Sequence, residues 1–130
     1  MKLFKLTFFL AIALFVTACG DDDSSPSTCT QSDWVGTYEG TVDCDGTVED
    51  VTVNITANGT DNIVIIYETA TVETEYDPLP PDGCSLNNTG TGNGLTVTVS
   101  ATLDGDDLTL NESFTDGSIT SICDLTATRN

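Results

Sequence analysis

Apolar and polar residues alternate with a period of two along most of the chain after residue 33, a pattern typical of half-buried β-strands. The alternation is clearest in the last third, over 95–103, 108–114 and 119–128. Short turns at 104–107 and 115–118 separate these segments, and each turn contains Asp-Gly. Strands joined by such short turns pair antiparallel, so the sequence predicts a three-stranded meander here.

The first half of the domain continues the same pattern. Strands are predicted at 34–42 and 48–56, then an Asn-Gly turn within 58–62, then strand 63–76 as one long bent strand or two. Segment 77–94 holds three of the four prolines and is predicted as a long loop. No segment shows helical spacing, so the sequence predicts an all-β fold of about seven strands.

Seven or so antiparallel strands either close into a barrel or pack as a β-sandwich. The opening "WVGTYEGT" at 34–41 and the up-and-down strand order resemble the small lipocalin-like domains of bacterial lipoproteins. The resemblance covers 33–128 and implies a lipocalin-like barrel in which a tryptophan of the first strand plugs the base. Trp34 precedes Gly36 here, whereas the family has Gly-x-Trp. A β-sandwich is the alternative, although Trp34 lies too close to Cys29 and Cys44 for an immunoglobulin-like domain.

The N-terminus has the features of an exported protein. Lys2 and Lys5 are followed by thirteen largely apolar residues, 6–18, too few to span a bilayer and typical of a signal peptide. "VTAC" at 16–19 resembles the bacterial lipobox, which implies cleavage before Cys19 and acylation of its thiol and amino group. The alternative is an ordinary secretion signal that leaves Cys19 as a spare thiol.

The acidic run "GDDDSS" at 20–25 resembles the export signal of Bacteroidetes-type surface lipoproteins. This resemblance implies a lipid-anchored protein on the outer face of the outer membrane. The alternative is that the run is only a hydrated tether. The predicted organisation is therefore a signal peptide at 1–18, an acylated cysteine and tether at 19–32, and a single β domain at 33–130.

Charge and composition exclude several kinds of function. Without residues 1–18, Arg129 is the only Lys or Arg and faces twenty-one carboxylates, a side-chain balance of −20. Such a surface repels nucleic acid and anionic lipid head groups, so a lipid anchor must hold the protein to the membrane. The chain has no histidine, the commonest general base. We expect no cofactor and assign no catalytic residue, although carboxylate-only chemistry remains open.

Four cysteines follow Cys19, and in an exported domain they predict two disulfides. They are Cys29, Cys44, Cys84 and Cys123, whose spacing matches no paired metal-ligand motif. Three pairings are open on sequence grounds. The pairing Cys29–Cys123 with Cys44–Cys84 is our choice, because it would tie the two ends of the fold together.

Three groups of polar or aromatic residues are candidates for chemistry. Aspartates in two turns could supply some ligands of a structural calcium ion, but Asp and Gly are also what tight turns require. Glu68, Glu73 and Glu75 could form a carboxylate pair, but an exposed strand gives the same spacing. The aromatic residues of the domain could line a sugar or lipid site, yet they more often form core. The aspartates are Asp43, Asp45, Asp50, Asp104, Asp106 and Asp107. The aromatic residues are Trp34, Tyr38, Tyr67, Tyr76 and Phe114.

The residues predicted to point inward are medium-sized and could fill a small barrel completely. They are Val51, Val53, Ile55, Ile63, Ile65, Val97, Val99, Leu108 and Leu110. We therefore expect a non-enzymatic binding or accessory module that binds at most a small apolar or sugar ligand, at an open end near the 77–94 loop. A carboxylate-dependent glycan hydrolase and a structural coat or adhesin component are the alternatives.

Overall fold

The computed structural model describes residues 28–130, which form a short helix and eight β-strands. The predicted signal peptide, Cys19 and the acidic run at 20–25 lie outside the described residues. The elements are α1 (Gln31–Trp34), β1 (Gly36–Cys44), β2 (Thr47–Asn58), β3 (Asn62–Glu68), β4 (Glu73–Glu75), β5 (Ser85–Gly92), β6 (Leu95–Asp104), β7 (Asp107–Thr115) and β8 (Thr120–Arg129). No helix within residues 28–130 has the length and hydropathy of a membrane span.

All eight strands belong to one antiparallel sheet, in the order β4-β3-β2-β1-β8-β7-β6-β5. The sheet is curled into a half-barrel, and at its centre the first and last long strands pair with each other, with Gly40 opposite Ala127. Strands β4 and β5 form the two edges and do not pair. The predicted all-β fold is therefore confirmed, and the sheet remains open along the seam between β4 and β5.

Gly40 allows β1 and β8 to approach each other closely. A Cβ atom at this position would overlap the carbonyl oxygen of Thr126 and would lie 2.5 Å from the Cα of Ala127. Both obstacles are backbone atoms, which cannot move aside as a side chain can. The glycine therefore has a packing role in joining the two halves of the sheet.

The 77–94 segment differs from its prediction, because it contains β5 rather than a continuous loop. β5 has the sequence SLNNTGTG, and Leu86 is its only fully buried residue. It is an edge strand that pairs only with β6, so it lacks the apolar alternation of a strand packed on both sides. The 63–76 segment is two strands, β3 and β4, separated at 69–72.

One end of the half-barrel is closed by Trp34, and we call it the closed end. Trp34 is fully buried, and its indole N–H donates to the carbonyl oxygen of Gly83 at 2.8 Å. The hydroxyl of Tyr38 donates to the carbonyl oxygen of Trp34 at 2.8 Å. The guanidinium of Arg129 lies 5.1 Å from the centre of the Tyr38 ring and donates to the Tyr38 hydroxyl at 2.7 Å.

The two disulfides are Cys29–Cys84 and Cys44–Cys123, so the pairing chosen from the sequence is wrong. Cys44 ends β1 and lies directly opposite Cys123 of β8, with 4.1 Å between their Cα atoms. Cys29 lies beside Cys84 at the closed end, with 4.7 Å between their Cα atoms. The choice failed because it assumed that chain ends are tied by a disulfide, whereas pairing of β1 with β8 brings them together.

Candidate functional site

The opening between β4 and β5 contains a cavity of 290 Å³, which we call the seam cavity. Its apolar wall consists of Leu79 from the β4–β5 connection, Val97 and Val99 from β6, and Phe114 from β7. Val97 and Val99 share a face of the sheet with Phe114 and Glu112, because these residues are opposite each other in the β6–β7 pair. The cavity thus opens onto the concave, apolar face of the sheet.

A buried carboxyl group borders this cavity. Glu112 is 1% exposed and is the buried charged residue of the described chain. It continues the inward row of β7, in which Leu108 and Leu110 are buried before it. A charged residue at a core position needs hydrogen-bond partners, because desolvating a carboxylate is costly.

Two tyrosines supply these partners. The Tyr67 hydroxyl donates to Oε2 of Glu112 at 2.7 Å, and the Tyr76 hydroxyl donates to Oε1. Tyr67 lies on β3 and Tyr76 follows β4, so the hydrogen bonds join one edge of the sheet to β7 across its concave face. The ring centres of the two tyrosines are 6.3 Å apart. We call Tyr67, Tyr76 and Glu112 the carboxylate–tyrosine cluster.

Burial dominates the acid–base behaviour of the cluster. It raises the pKa of Glu112 above the ordinary value of 4.5, although the tyrosine hydrogen bonds act in the opposite direction. Burial also raises the pKa of Tyr67 to about 12 and raises the pKa of Tyr76 further. Both tyrosines therefore remain neutral hydrogen-bond donors near neutral pH.

A second cavity, of 360 Å³, adjoins the first at the end of the half-barrel opposite Trp34. Its lining includes Val42, Tyr67 and the Cys44–Cys123 disulfide. Thr74 and Phe114 line both cavities, so the carboxylate–tyrosine cluster lies at their boundary. Only the seam cavity is lined by Glu112 and Tyr76.

The three glutamates predicted as a possible carboxylate pair, Glu68, Glu73 and Glu75, do not form a buried site. Glu68 and Glu73 are exposed and lie opposite each other in the β3–β4 pair. Glu75 is also exposed, but it lines the seam cavity together with Glu112 and Asp77. Glu112 is not among the residues predicted from the sequence, although the alternation of β7 puts it in the inward row after Leu108 and Leu110.

The aspartates considered for calcium mostly serve turns and hydrogen bonds between strands. Asp43 accepts the amide N–H of Gly46 at 2.8 Å, and Asp45 accepts the amide N–H of Ile122 at 3.0 Å. Asp106 lies 3.7 Å from the guanidinium of Arg129. Within residues 28–130, no group of three or more His, Cys, Asp or Glu side chains is arranged to hold a metal ion.

The five aromatic residues divide between the core and the seam cavity. Trp34, Tyr38 and Tyr67 are buried in the core, as predicted for the group. Tyr76 and Phe114 are half-buried and line the seam cavity.

Comparison with known proteins identifies no relative: no family model, no curated protein and no solved structure matches the chain.

Proposed function

We propose that the protein is a lipid-anchored binding module of the bacterial outer membrane, exposed at the cell surface, whose β domain binds a small ligand in the seam cavity. One observation carries the proposal: a cavity of 290 Å³ with one apolar wall is bordered by a buried carboxyl group with two tyrosine partners. An apolar pocket with a few convergent polar groups and a perturbed acid is the usual form of a small-molecule site.

The path of the chain near Cys29 bears on where a lipid anchor would be attached to the domain. Cys29 is bonded to Cys84 at the closed end, immediately before β5 begins at Ser85. Gly90, which lines the seam cavity, is five residues farther along β5, about 17 Å away for an extended strand. An anchor at Cys19 would therefore join the domain at the closed end, away from Gly90.

We further propose that binding occurs without turnover. The chain has no histidine, and within residues 28–130 Glu112 is the only buried carboxyl group, so it lacks the second acid of a carboxylate pair. The hydrolase alternative required a glutamate pair such as Glu73 and Glu75, and both side chains are exposed on the three-residue edge strand β4. A structural coat or adhesin role is the alternative if the seam cavity binds nothing.

Substitutions of two glycines on β5 test the binding site. Gly90 lines the cavity and lies opposite Val97, so a side chain there would enter the cavity, where a Cβ atom meets no atom within 4 Å. We expect Gly90→Val to weaken binding of the neutral probe phenylbutanol at least about tenfold, because the valine occupies the space of the ligand. Isothermal titration calorimetry on the purified protein measures the affinity.

Gly92→Val is the matched control for this experiment. Gly92 lies on the same face of the same strand, also has open space around it, and does not line the seam cavity. It should leave the affinity unchanged within a factor of about two. Equal loss in both variants, or no binding by the unsubstituted protein, would contradict the proposed site.

The anchor is tested separately. The unsubstituted protein should incorporate labelled palmitate and partition into detergent, whereas Cys19→Ala should do neither, because it removes the acylated thiol. Replacing Asp21, Asp22 and Asp23 by Ala should keep the label but remove access of added protease to the protein on intact cells. A labelled, membrane-bound Cys19→Ala protein would refute the lipoprotein assignment.

A further inference from the structure

We propose that the ligand of the seam cavity carries a protonated amine, whose positive charge pairs with Glu112; this assignment rests on the proposed function. The first reason is that Glu112 is a buried carboxyl group without a cationic partner in the protein. Arg129 is the only Lys or Arg in residues 28–130, and it lies at the closed end against Tyr38 and Asp106. A buried carboxyl group with no cation beside it favours its protonated form, so a ligand that brings a positive charge would stabilise the ionised form and gain an ion pair.

The carboxylate–tyrosine cluster leaves Glu112 able to accept further hydrogen bonds. An ionised carboxylate offers about four lone-pair positions, and the two tyrosine hydroxyls occupy one on each oxygen. The hydroxyls also hold the carboxylate in a fixed orientation at the cavity wall. An ammonium group, which has three N–H donors and no acceptor, matches the vacant positions.

The remaining cavity wall fits the rest of such a ligand. Phe114 and Tyr76 present aromatic rings that attract a cation near their faces. Leu79, Val97 and Val99 provide an apolar surface for a hydrocarbon or aromatic body. The expected ligand class is therefore a small amphiphilic amine rather than a free metal ion, which would gain nothing from this apolar wall.

The surrounding charge favours the same class. Glu75 and Asp77 line the seam cavity with Glu112, so it has three acidic side chains and no basic one in its lining. A cleft of one charge sign concentrates ligands of the opposite sign and repels those of the same sign. Carboxylate and phosphate ligands are thus disfavoured, and a neutral ligand gains nothing from this field.

Two probes of equal length separate the effect of charge from that of shape. We expect the protein to bind phenylbutylammonium at least about tenfold more tightly than phenylbutanol at neutral pH, because the amine adds an ion pair in a partly desolvated site. Calorimetry gives the ratio of the two affinities. Glu112→Gln, which keeps the size of the side chain, should reduce this ratio to about two or less while phenylbutanol still binds.

Glu75→Gln is the matched control, because it removes one charge from the exposed rim of the same cavity. It should change the ratio by no more than about threefold, since an exposed charge is screened by water and salt. A ratio that persists in Glu112→Gln, or that disappears in Glu75→Gln, would show that the rim and not Glu112 recognises the amine. Equal binding of both probes would refute the amine assignment and leave the proposed function intact, whereas failure of both probes to bind would refute the proposed function.

A measurement on the unsubstituted protein covers the case in which Glu112→Gln fails to fold. Nuclear Overhauser contacts should join the methylene group next to the ammonium nitrogen to ring protons of Tyr67 or Tyr76. Contacts of that methylene to other residues alone would overturn the assignment to Glu112.

Discussion

Trp34→Ala should lower the free energy of unfolding by about 3–5 kcal/mol, the usual cost of deleting a buried tryptophan. Trp34 is the last residue of α1 and is fully buried at the closed end, where its indole N–H donates to Gly83. The substitution removes the largest side chain of the core and leaves the carbonyl oxygen of Gly83 without its indole donor. Urea denaturation followed by circular dichroism measures the loss.

Two further variants separate the contribution of the buried Trp34 ring from that of its hydrogen bond and from the effect of an exposed substitution. Trp34→Phe keeps most of the apolar volume but loses the indole hydrogen bond, so it should cost less than Trp34→Ala, by at least about 1 kcal/mol. Val48→Ala, at a residue that is 62% exposed on β2, should cost less than about 0.5 kcal/mol. A loss below about 1 kcal/mol for Trp34→Ala would mean that Trp34 does not close the half-barrel.

Replacing both Cys44 and Cys123 by Ala should destabilise the protein by roughly 4 kcal/mol, within the usual range of about 2–5 kcal/mol for a native disulfide. The bond joins residues that are 79 positions apart, so it restricts much of the unfolded chain. It also ties β1 to β8, the pairing that joins the two halves of the sheet. Denaturation of the double variant under non-reducing conditions measures the effect.

Peptide mapping provides the control on connectivity. A non-reducing digest of the unsubstituted protein should yield peptides that link Cys44 to Cys123 and Cys29 to Cys84. The double variant should retain the Cys29–Cys84 link. Peptides linking Cys44 to Cys84, or free thiols at these four positions without reductant, would contradict the structure.

The main strands were predictable because their inward face is apolar. Eight of the nine residues predicted to point inward are buried, from Val51 on β2 to Leu110 on β7. Val97 is the exception and is half-buried, because it lies opposite Gly90 of the edge strand β5, a residue that has no side chain to cover it. The alternation of apolar and polar residues predicts which face of a strand points inward. It does not predict whether that face packs against other side chains or borders a cavity.

The edges of the sheet were harder to predict. β5 lies in a segment that the sequence predicts as loop, because an edge strand needs few apolar residues and Leu86 is its only fully buried one. The disulfide pairing depended on the contact between β1 and β8, which are separated by most of the domain in sequence. No local pattern encodes such a contact.

Part of the lining of the seam cavity comes from the segment near which the sequence predicts ligand binding. The sequence predicts ligand binding at an open end near the 77–94 loop, and the seam cavity is lined by Asp77, Leu79, Asn88 and Gly90 of that segment. Its polar centre was not foreseen, because Glu112 lies in a sequence that reads as an ordinary strand. The informative sign was a glutamate in the inward row of β7, where Leu108 and Leu110 precede it.

The central claim is that the seam cavity between β4 and β5 holds a small ligand, and amide chemical-shift mapping tests it most directly. The isotope-labelled protein is titrated with phenylbutanol, and the residues whose signals move are located on the fold. Saturable shifts should concentrate at Leu79, Val97, Val99 and Phe114, which form the apolar wall. Shifts that do not saturate, or that concentrate at the closed end around Trp34 and Arg129, would contradict the account.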